Sequence, residues 1–429
     1  MLLRHKPPLH LTYCLNVHPG ERWDENLAAI QTHAMAIRNR VAPGKRFGLG
    51  LRLSHQAAIT LRQPESLAAF KRFLDEHDLY AFTINGFPYG AFHGQEVKTA
   101  VYRPDWSNRD RLDYTTTLAC IMASLLPEGT DGNISTVPLG YKFGRGNSND
   151  TTPAAAPTPA MAIHLAECAA TLHDIRMTTG KDVHIGLEPE PDCLLETTEE
   201  VIRFFEGHLL LQAIPHLVSR LSCSRHDAEM IVRRHIGICF DTCHMAIQFE
   251  GLAESLTRLV RHGIRISKVQ LSSALEVLPT ITARARLKEF LDPVYLHQVK
   301  EVCLDQNTGG EIQGYEHDSV NFRRYNDLDA ALESPIRTGS PAALWRIHYH
   351  VPLYFESDAT LHSTSNTLDV AFWNKVSAIP VTHLEIETYT FHHLPPHRQI
   401  GGIVTSVVRE YEWVTSRLSA QTQTEYVPA

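Results

Sequence analysis

The sequence predicts a (β/α)8 barrel on three observations. Eight short apolar runs alternate with amphipathic segments along the chain. The 429 residues fit one such barrel with insertions. Polar residues able to do chemistry stand just after several different runs, which is where a barrel gathers its functional groups. An open doubly wound sheet shares the alternation but concentrates function at one switch point, so the placement, and not the periodicity, favours the barrel.

The runs follow in order. The first is Leu11 to Val17, closed by the turn at Pro19-Gly20. A helix follows with Trp23, Leu27, Ile30, Ala34, Ile37 and Val41 on one face, at helical spacings of four and three, and Pro43-Gly44 stops it. Phe47 to Ser54 is the second run, followed by a helix through Leu67, Phe70 and Leu74. Leu79 to Gly86 is the third, with a helix around Leu118, Ile121 and Leu125. The fourth to seventh are Ile134 to Lys142, Val183 to Pro191, Ile236 to Met245 and Ile264 to Ala274. His383 to Thr390 is the eighth, and a closing helix runs near Ile403 to Leu418.

Three excursions interrupt this pattern within what reads as a single domain spanning 1–429. Residues 144–160 are rich in Gly, Ser, Pro and Ala and are expected to be a flexible loop. Residues 275–343 form a long insertion with a helix around Leu287 to Cys303 and a polar loop, read as an elaboration of the active face. Asn85 to Gln95 is too rich in Gly and aromatics to continue a strand. It is read either as a substrate-covering loop, with Asn85 and His93 as candidate substrate contacts, or as an ordinary packed loop.

Bulk properties narrow the function classes. Hydrophobic residues at 43% and charged ones at 21% exclude disorder as the default. With Lys+Arg 40 and Asp+Glu 48, the net charge of −8 counts against a general nucleic-acid surface. The eight cysteines include no CxxC pair, the N-terminus lacks the apolar run of a signal peptide, and no stretch reaches the length of a membrane span. The expectation is a cytoplasmic chain with reduced thiols, a small-molecule metabolite as partner and no integral membrane segment. The 25 histidines point toward chemistry, because imidazole is both a metal ligand and a near-neutral acid or base.

Four segments carry that chemistry. In FDTCHMA, Asp241 ends a buried run and His244 lies three residues on, so a carboxylate and an imidazole can turn to one point. A helix-capping Asp with a surface His explains this segment about as well. In GLEPEP, Glu188 and Glu190 share one side of an extended exit stiffened by Pro189 and Pro191. An ion pair with Arg or Lys is the bland alternative there. In HLEIETYT, Glu385 and Glu387 share a face: Glu387 is nearer the functional end, and Glu385 is deeper, where a structural ion pair is expected. In WRIHYHVPL, His348 and His350 point the same way, a common chelating geometry. Gln270 ends the seventh run as a weak ligand or substrate contact.

At FDTCHMA and GLEPEP the chain resembles the xylose isomerase-like TIM-barrel superfamily, which includes sugar isomerases, epimerases and endonuclease IV. The resemblance implies metal ligation by Glu188, Asp241, His244 and Glu387, around a divalent ion such as Mn, Zn, Mg or Fe. The superfamily's strand-seven His is Gln270 here, so an imidazole from His350 or His348 has to take its place. Over residues 11 to 390 the motifs LTYCLNVHPGE, FTINGFPYGAFHG, VYRPDWS, LEPEPD, DTCHMA, HVPL and HLEIETYT resemble, in order, the EboE-type metabolite traffic proteins. That resemblance implies a role beside other Ebo-cluster proteins in processing or trafficking a secondary-metabolite precursor.

Three functions compete. The first is a metal-dependent isomerase or epimerase of a small sugar- or polyol-like metabolite, with Glu188 and Glu387 as catalytic carboxylates and Asp241, His244 and His350 completing the metal set. Glu190, His348, Gln270, Asn85 and His93 then contact substrate. The second is an endonuclease IV-like phosphodiesterase, which needs more histidines at the third and fourth runs than His93 offers. The third is a non-catalytic metabolite-binding protein on the same fold.

Overall fold

The computed structural model describes residues 1–5, 7–143, 155–303, 322–336 and 343–424. Eight parallel strands form the barrel: Pro8–Tyr13, Phe47–Arg52, Leu79–Asn85, Gly132–Thr136, Val183–Leu187, Ile236–Asp241, Arg265–Leu271 and His383–Ile386. Each falls within or beside one of the eight apolar runs. Neighbours in sequence pair in parallel from the second strand to the eighth, except that the long excursion intervenes before the eighth. The eighth strand pairs with the seventh (Ile386 opposite Leu271) and with the first (Ile386 opposite Tyr13).

Closure occurs between the first and second strands. Leu2–His5 folds back antiparallel on the first strand, and beyond it a parallel bridge joins Cys14 to Gly50. Gly50 permits this approach: a Cβ there would lie 2.7 Å from the Tyr13 carbonyl oxygen and 2.3 Å from Glu385 Oε1. Thr12 Oγ1 adds a hydrogen bond to the Gly48 carbonyl at 2.8 Å across the same seam.

The helices are placed by ordinary signals. Trp23 to Val41 is helical throughout with a π-helical segment at Ile30–Ala34, and it ends just before Pro43-Gly44. Thr158 caps the helix Pro159–Thr179 by accepting from Met161 N, and Gly180 at φ 72° ends it in the left-handed conformation. Gly402–Thr424 closes the chain. Among the described residues, no helix is long and apolar enough to cross a membrane.

The insertion departs from expectation in one element. The helix lies earlier, at Ile281–Leu287, and Val299–Cys303 is a strand. Its two valines, three residues apart and so on opposite faces, each stand across from an apolar partner, Val299 opposite Ile347 and Val302 opposite Leu344, so cross-strand packing decides the conformation. This strand belongs to a second, antiparallel sheet in the order Arg323–Tyr325, Val299–Cys303, Ala343–Val351, Ser273–Val277, His362–Ser363. Ser273 follows the seventh barrel strand almost directly, so the second sheet grows from the C-terminal end of the barrel. The polar loop of the insertion and residues 144–154 of the predicted flexible loop lie outside the described residues.

Candidate functional site

Five chain segments converge over the C-terminal ends of the barrel strands. Glu188 and Glu190 leave the fifth strand, Asp241 ends the sixth, His244 sits in the short helix Thr242–Ile247, and Glu387 follows the eighth. His348 and His350 come from the central strand of the second sheet. All seven side chains are buried.

Asp241 does two jobs with two oxygens. Its Oδ1 caps the short helix, accepting from Cys243 N at 2.8 Å and His244 N at 3.1 Å, and it also accepts from Ser272 Oγ at 2.6 Å. Its Oδ2 is buried without a hydrogen-bond partner. The capping and site readings of this residue are therefore compatible.

The three imidazoles are held in one tautomeric sense. Nδ1 of His244 lies 2.9 Å from the Pro189 carbonyl, that of His348 2.7 Å from Gln298 Oε1, and that of His350 2.9 Å from the Glu387 carbonyl. Each acceptor is an oxygen without a proton, so each Nδ1 donates; burial keeps the His244 and His348 rings neutral with a lone pair on Nε2, whereas at His350, whose pKa is raised, a cation would take the place of the Nε2 proton. Gln298 is itself oriented, because its Nε2 donates to Tyr102 OH and to the Pro191 carbonyl. The rings gather at centroid separations of 4.7, 5.3 and 5.4 Å.

The ligand atoms fall into three overlapping groups, each within 4.8 Å of one another: Glu188, Asp241 and His244; His244, His348 and His350; Asp241, Cys243 and His350. Glu188 Oε2, His348 Nε2 and His350 Nε2 are buried and unpartnered, like Asp241 Oδ2. Such atoms cost free energy unless something not part of the chain satisfies them. A divalent cation fits this donor set of carboxylate oxygen and neutral imidazole nitrogen.

Electrostatics agree with a missing positive charge. Burial, reinforced by Asp241 and Glu387, pushes the Glu188 carboxyl well above its usual range. Burial raises Glu190 to about 8, against the stabilising hydrogen bond from Tyr102 OH at 2.8 Å. Burial, with His244 and His350 nearby, pushes His348 well down. Burial opposes protonation of His350 as well, yet the Cys243 thiol and the Glu387 carboxylate overcome it and raise its pKa.

Other predicted residues stand further back. Glu387 belongs to none of the three groups: Asn16 Nδ2 donates to its Oε1 at 2.6 Å, and its Oε2 lies 2.7 Å from His350 Nδ1. Gln270 is below the site, accepting from Cys239 Sγ at 3.1 Å with its amide nitrogen 3.5 Å from Glu385. His93 is engaged at both nitrogens, with the Asn16 carbonyl at 2.7 Å and Tyr295 OH at 2.8 Å. Asn85 lines the cleft. Glu385 is the structural ion pair expected of it, bound to Lys268 Nζ in the barrel interior.

Asn16, Cys243, Tyr102 and Gln298 were not singled out from sequence. Asn16 follows the first strand and obeys the same strand-end rule as the others. Cys243 lies inside the DTCH motif. Tyr102 ends the short turn Lys98–Tyr102 after the Asn85–Gln95 loop and Gln298 sits in the long insertion, where no periodicity points at them.

No protein-family model and no curated protein matches the chain. Among solved structures it is similar to a zinc-bound IOLI protein, at 10% identity over 96% of this chain and 99% of that one, with a TM-score of 0.44. It is similar to a probable 3-DHS dehydratase, AsbF, from Bacillus anthracis, at 11% identity over 95% and 99%, TM-score 0.43. A xylose isomerase-like TIM barrel protein from Mycobacterium smegmatis in complex with magnesium matches at 9% identity over 96% and 97%, TM-score 0.49. The narrower EboE-type resemblance has no support from these similarities; the molecule itself is a (β/α)8 barrel whose solved neighbours include xylose isomerase-like barrels.

Proposed function

We propose that the protein is a divalent-metal-dependent isomerase or epimerase acting on a small hydroxy-carbonyl metabolite. The observation that carries this reading is the set of buried, unpartnered atoms on Glu188, Asp241, His348 and His350, gathered with His244 at the mouth of the barrel. His244, shared by two of the three-residue groups, would hold the ion with Glu188 and Asp241 or with His348 and His350. A divalent ion there supplies Lewis-acid polarisation of a carbonyl oxygen.

The chain's own residues supply the rest. Removing and returning a proton on the carbon beside a carbonyl needs carboxylates flanking the substrate. Glu188, which neighbours Asp241 and His244, and Glu387, which neighbours His350, are the carboxylates this reading assigns to that task. The Asn16 hydrogen bond fixes the Glu387 carboxylate for this task. Tyr102 holds Glu190 at the rim as a hydrogen-bonding group for a substrate hydroxyl. A role in the processing or trafficking of a secondary-metabolite precursor, beside other Ebo-cluster proteins, belongs to this proposal as its biological setting.

The test is metal content followed by proton exchange. Tag-free protein is expected to retain close to one divalent ion per chain. With hydroxyketones in deuterated water it is expected to wash deuterium into the carbon next to the carbonyl, followed by NMR. Glu387→Gln should keep the metal and lose the wash-in by roughly a hundredfold or more. Protein that binds no divalent ion, or a Glu188→Gln variant with unchanged metal content and exchange, would overturn the reading.

A further inference from the structure

The open cleft lined by His244 and His348 has two unlike halves. Its floor is polar and acidic: Asn16, Asn85, Glu188, Glu190 and Glu387 with the imidazoles of His244 and His348. Its wall is aromatic. Phe92, Tyr295 and Tyr389 form a closed triangle, with ring centroids 5.1, 5.4 and 5.0 Å apart. Together with Val97 they make a buried apolar cluster separate from the main core. The three rings come from three different segments outside the barrel strands, and Tyr389 packs on His350 at 4.7 Å. All four members of this cluster line the cleft.

The wall is also fixed in place. Tyr295 OH meets His93 Nδ1 at 2.8 Å, the far nitrogen of His93 meets the Asn16 carbonyl at 2.7 Å, and Asn16 in turn holds Glu387. A single chain of hydrogen bonds therefore runs from the aromatic wall to the acidic floor. His93 serves this wall from behind instead of facing the cleft.

Charge completes the picture. Among the described residues lining the cleft the one cation is Lys98, and its Nζ is taken by Asp327 Oδ2 at 2.6 Å and the Asp292 carbonyl at 3.1 Å. A phosphate or carboxylate group is recognised by free guanidinium, ammonium or helix N-terminal donors. Here the one cation open to it would be the ion the floor is proposed to hold, which the hydroxy-carbonyl head occupies, so a further anionic group would face the acidic floor at Glu190 and Glu387 with no charged donor of its own. A hydroxyl placed against the ring faces of the triangle would lose its water partners and could regain one only at the Tyr389 hydroxyl, because the Tyr295 hydroxyl is taken by His93.

We infer that the substrate of this site is uncharged and two-ended: a compact hydroxy-carbonyl head for the floor, joined to an apolar ring or short branched hydrocarbon that lies against Phe92, Tyr295 and Tyr389. Sugar phosphates and fully hydroxylated chains fit the wall poorly. The inference rests on the metal-dependent reading for its head group and on the aromatic wall for its body.

Three probes that share one head group separate these contributions: dihydroxyacetone, its phosphate ester, and phenacyl alcohol, which carries a phenyl ring on the same hydroxymethyl ketone. Full-length protein of measured metal content is titrated with each by calorimetry. Phenacyl alcohol is expected to bind about tenfold or more tightly than dihydroxyacetone, the scale set by burying a ring in a preformed apolar pocket. The phosphate ester is expected to bind no more tightly than dihydroxyacetone. Tyr295→Ala should erase the phenyl advantage with metal content unchanged, and Tyr295→Phe, which keeps the ring and gives up the His93 contact, should retain most of it. Equal affinity for phenacyl alcohol and dihydroxyacetone, or tightest binding of the phosphate ester, overturns the inference. Absence of bound metal would overturn the functional reading alone, because the phenyl advantage is still measured on that same metal-free protein and its loss there still counts against the aromatic-bodied substrate.

Discussion

Two carboxylates two residues apart show how burial depth sorts roles. Glu385 and Glu387 lie on one face of the eighth strand and its exit, so alternation alone cannot tell them apart. Glu385 is deeper, paired with Lys268, whose Nζ also donates to Thr83 Oγ1 at 3.2 Å. Glu387 emerges at the mouth and is met by Asn16 and His350. That ranking was legible from strand direction. Asn16 was not, because its partner is 371 residues away and only the closure of the barrel brings the first and eighth strands together. The Lys268–Glu385 pair is fully buried, so breaking it leaves a lone charge in the interior. Lys268→Met is expected to lower stability by about 3–5 kcal/mol in urea unfolding, and Lys268→Met with Glu385→Gln should regain more than half of that loss. Equal destabilisation of the single and double variants would mean the cost is packing and not charge.

At the scale of elements, the strands and most helices were readable because their patterns are local. The His-x-His segment was readable as an extended stretch with both rings on one face. Its membership of a separate antiparallel sheet was not, since strand pairing between Ala343–Val351 and Ser273–Val277 is a non-local choice. The closing helix offers a clean electrostatic test. Glu410 is buried in it, accepting from Leu353 N at 3.1 Å and Thr388 Oγ1 at 2.7 Å. Burial raises its carboxyl from the ordinary 4.5 to about 7. The folded chain therefore holds a proton that the unfolded chain releases, and this contribution is present below pH 4.5 and lost as pH rises through 7. The full shift corresponds to roughly 3 kcal/mol. Subtracting the unfolding free energy of Glu410→Gln from that of the parent should leave a difference that falls by roughly 3 kcal/mol between pH 4.5 and 7; a pH-independent difference would refute the raised carboxyl.

For the whole molecule, the histidines that pointed toward chemistry turn out to matter as much for stability. Burial depresses His10 and His184 to about 3, and His93 and His235 to about 4. Each is neutral in the folded chain and charged in an unfolded one below its ordinary 6.5. Below pH 6.5 the unfolded state thus binds more protons, and stability falls as pH drops toward 4, by about 1.4 kcal/mol per pH unit for each such group. Against the opposite trend of the raised carboxyls Glu188, Glu190 and Glu410, these four rings, joined by the likewise depressed His348, leave a net loss. Thermal unfolding should therefore shift downward between pH 6.5 and 5. A melting temperature flat across that interval would contradict the burial of these rings.

The arrangement of the site across two sheets has a consequence for how the chain matures. Glu188, Asp241 and His244 belong to the barrel, whereas His348 and His350 belong to a sheet whose strands are spread over residues 273 to 363. A growing chain presents half of the donor set more than a hundred residues before the other half exists. An ion captured early would be held by three donors and could be lost or exchanged; only a chain that has reached His350 can add the remaining imidazoles. Metal retention would then report that synthesis has passed the second sheet, and truncated chains ending before His348 would release their ion readily to a chelator.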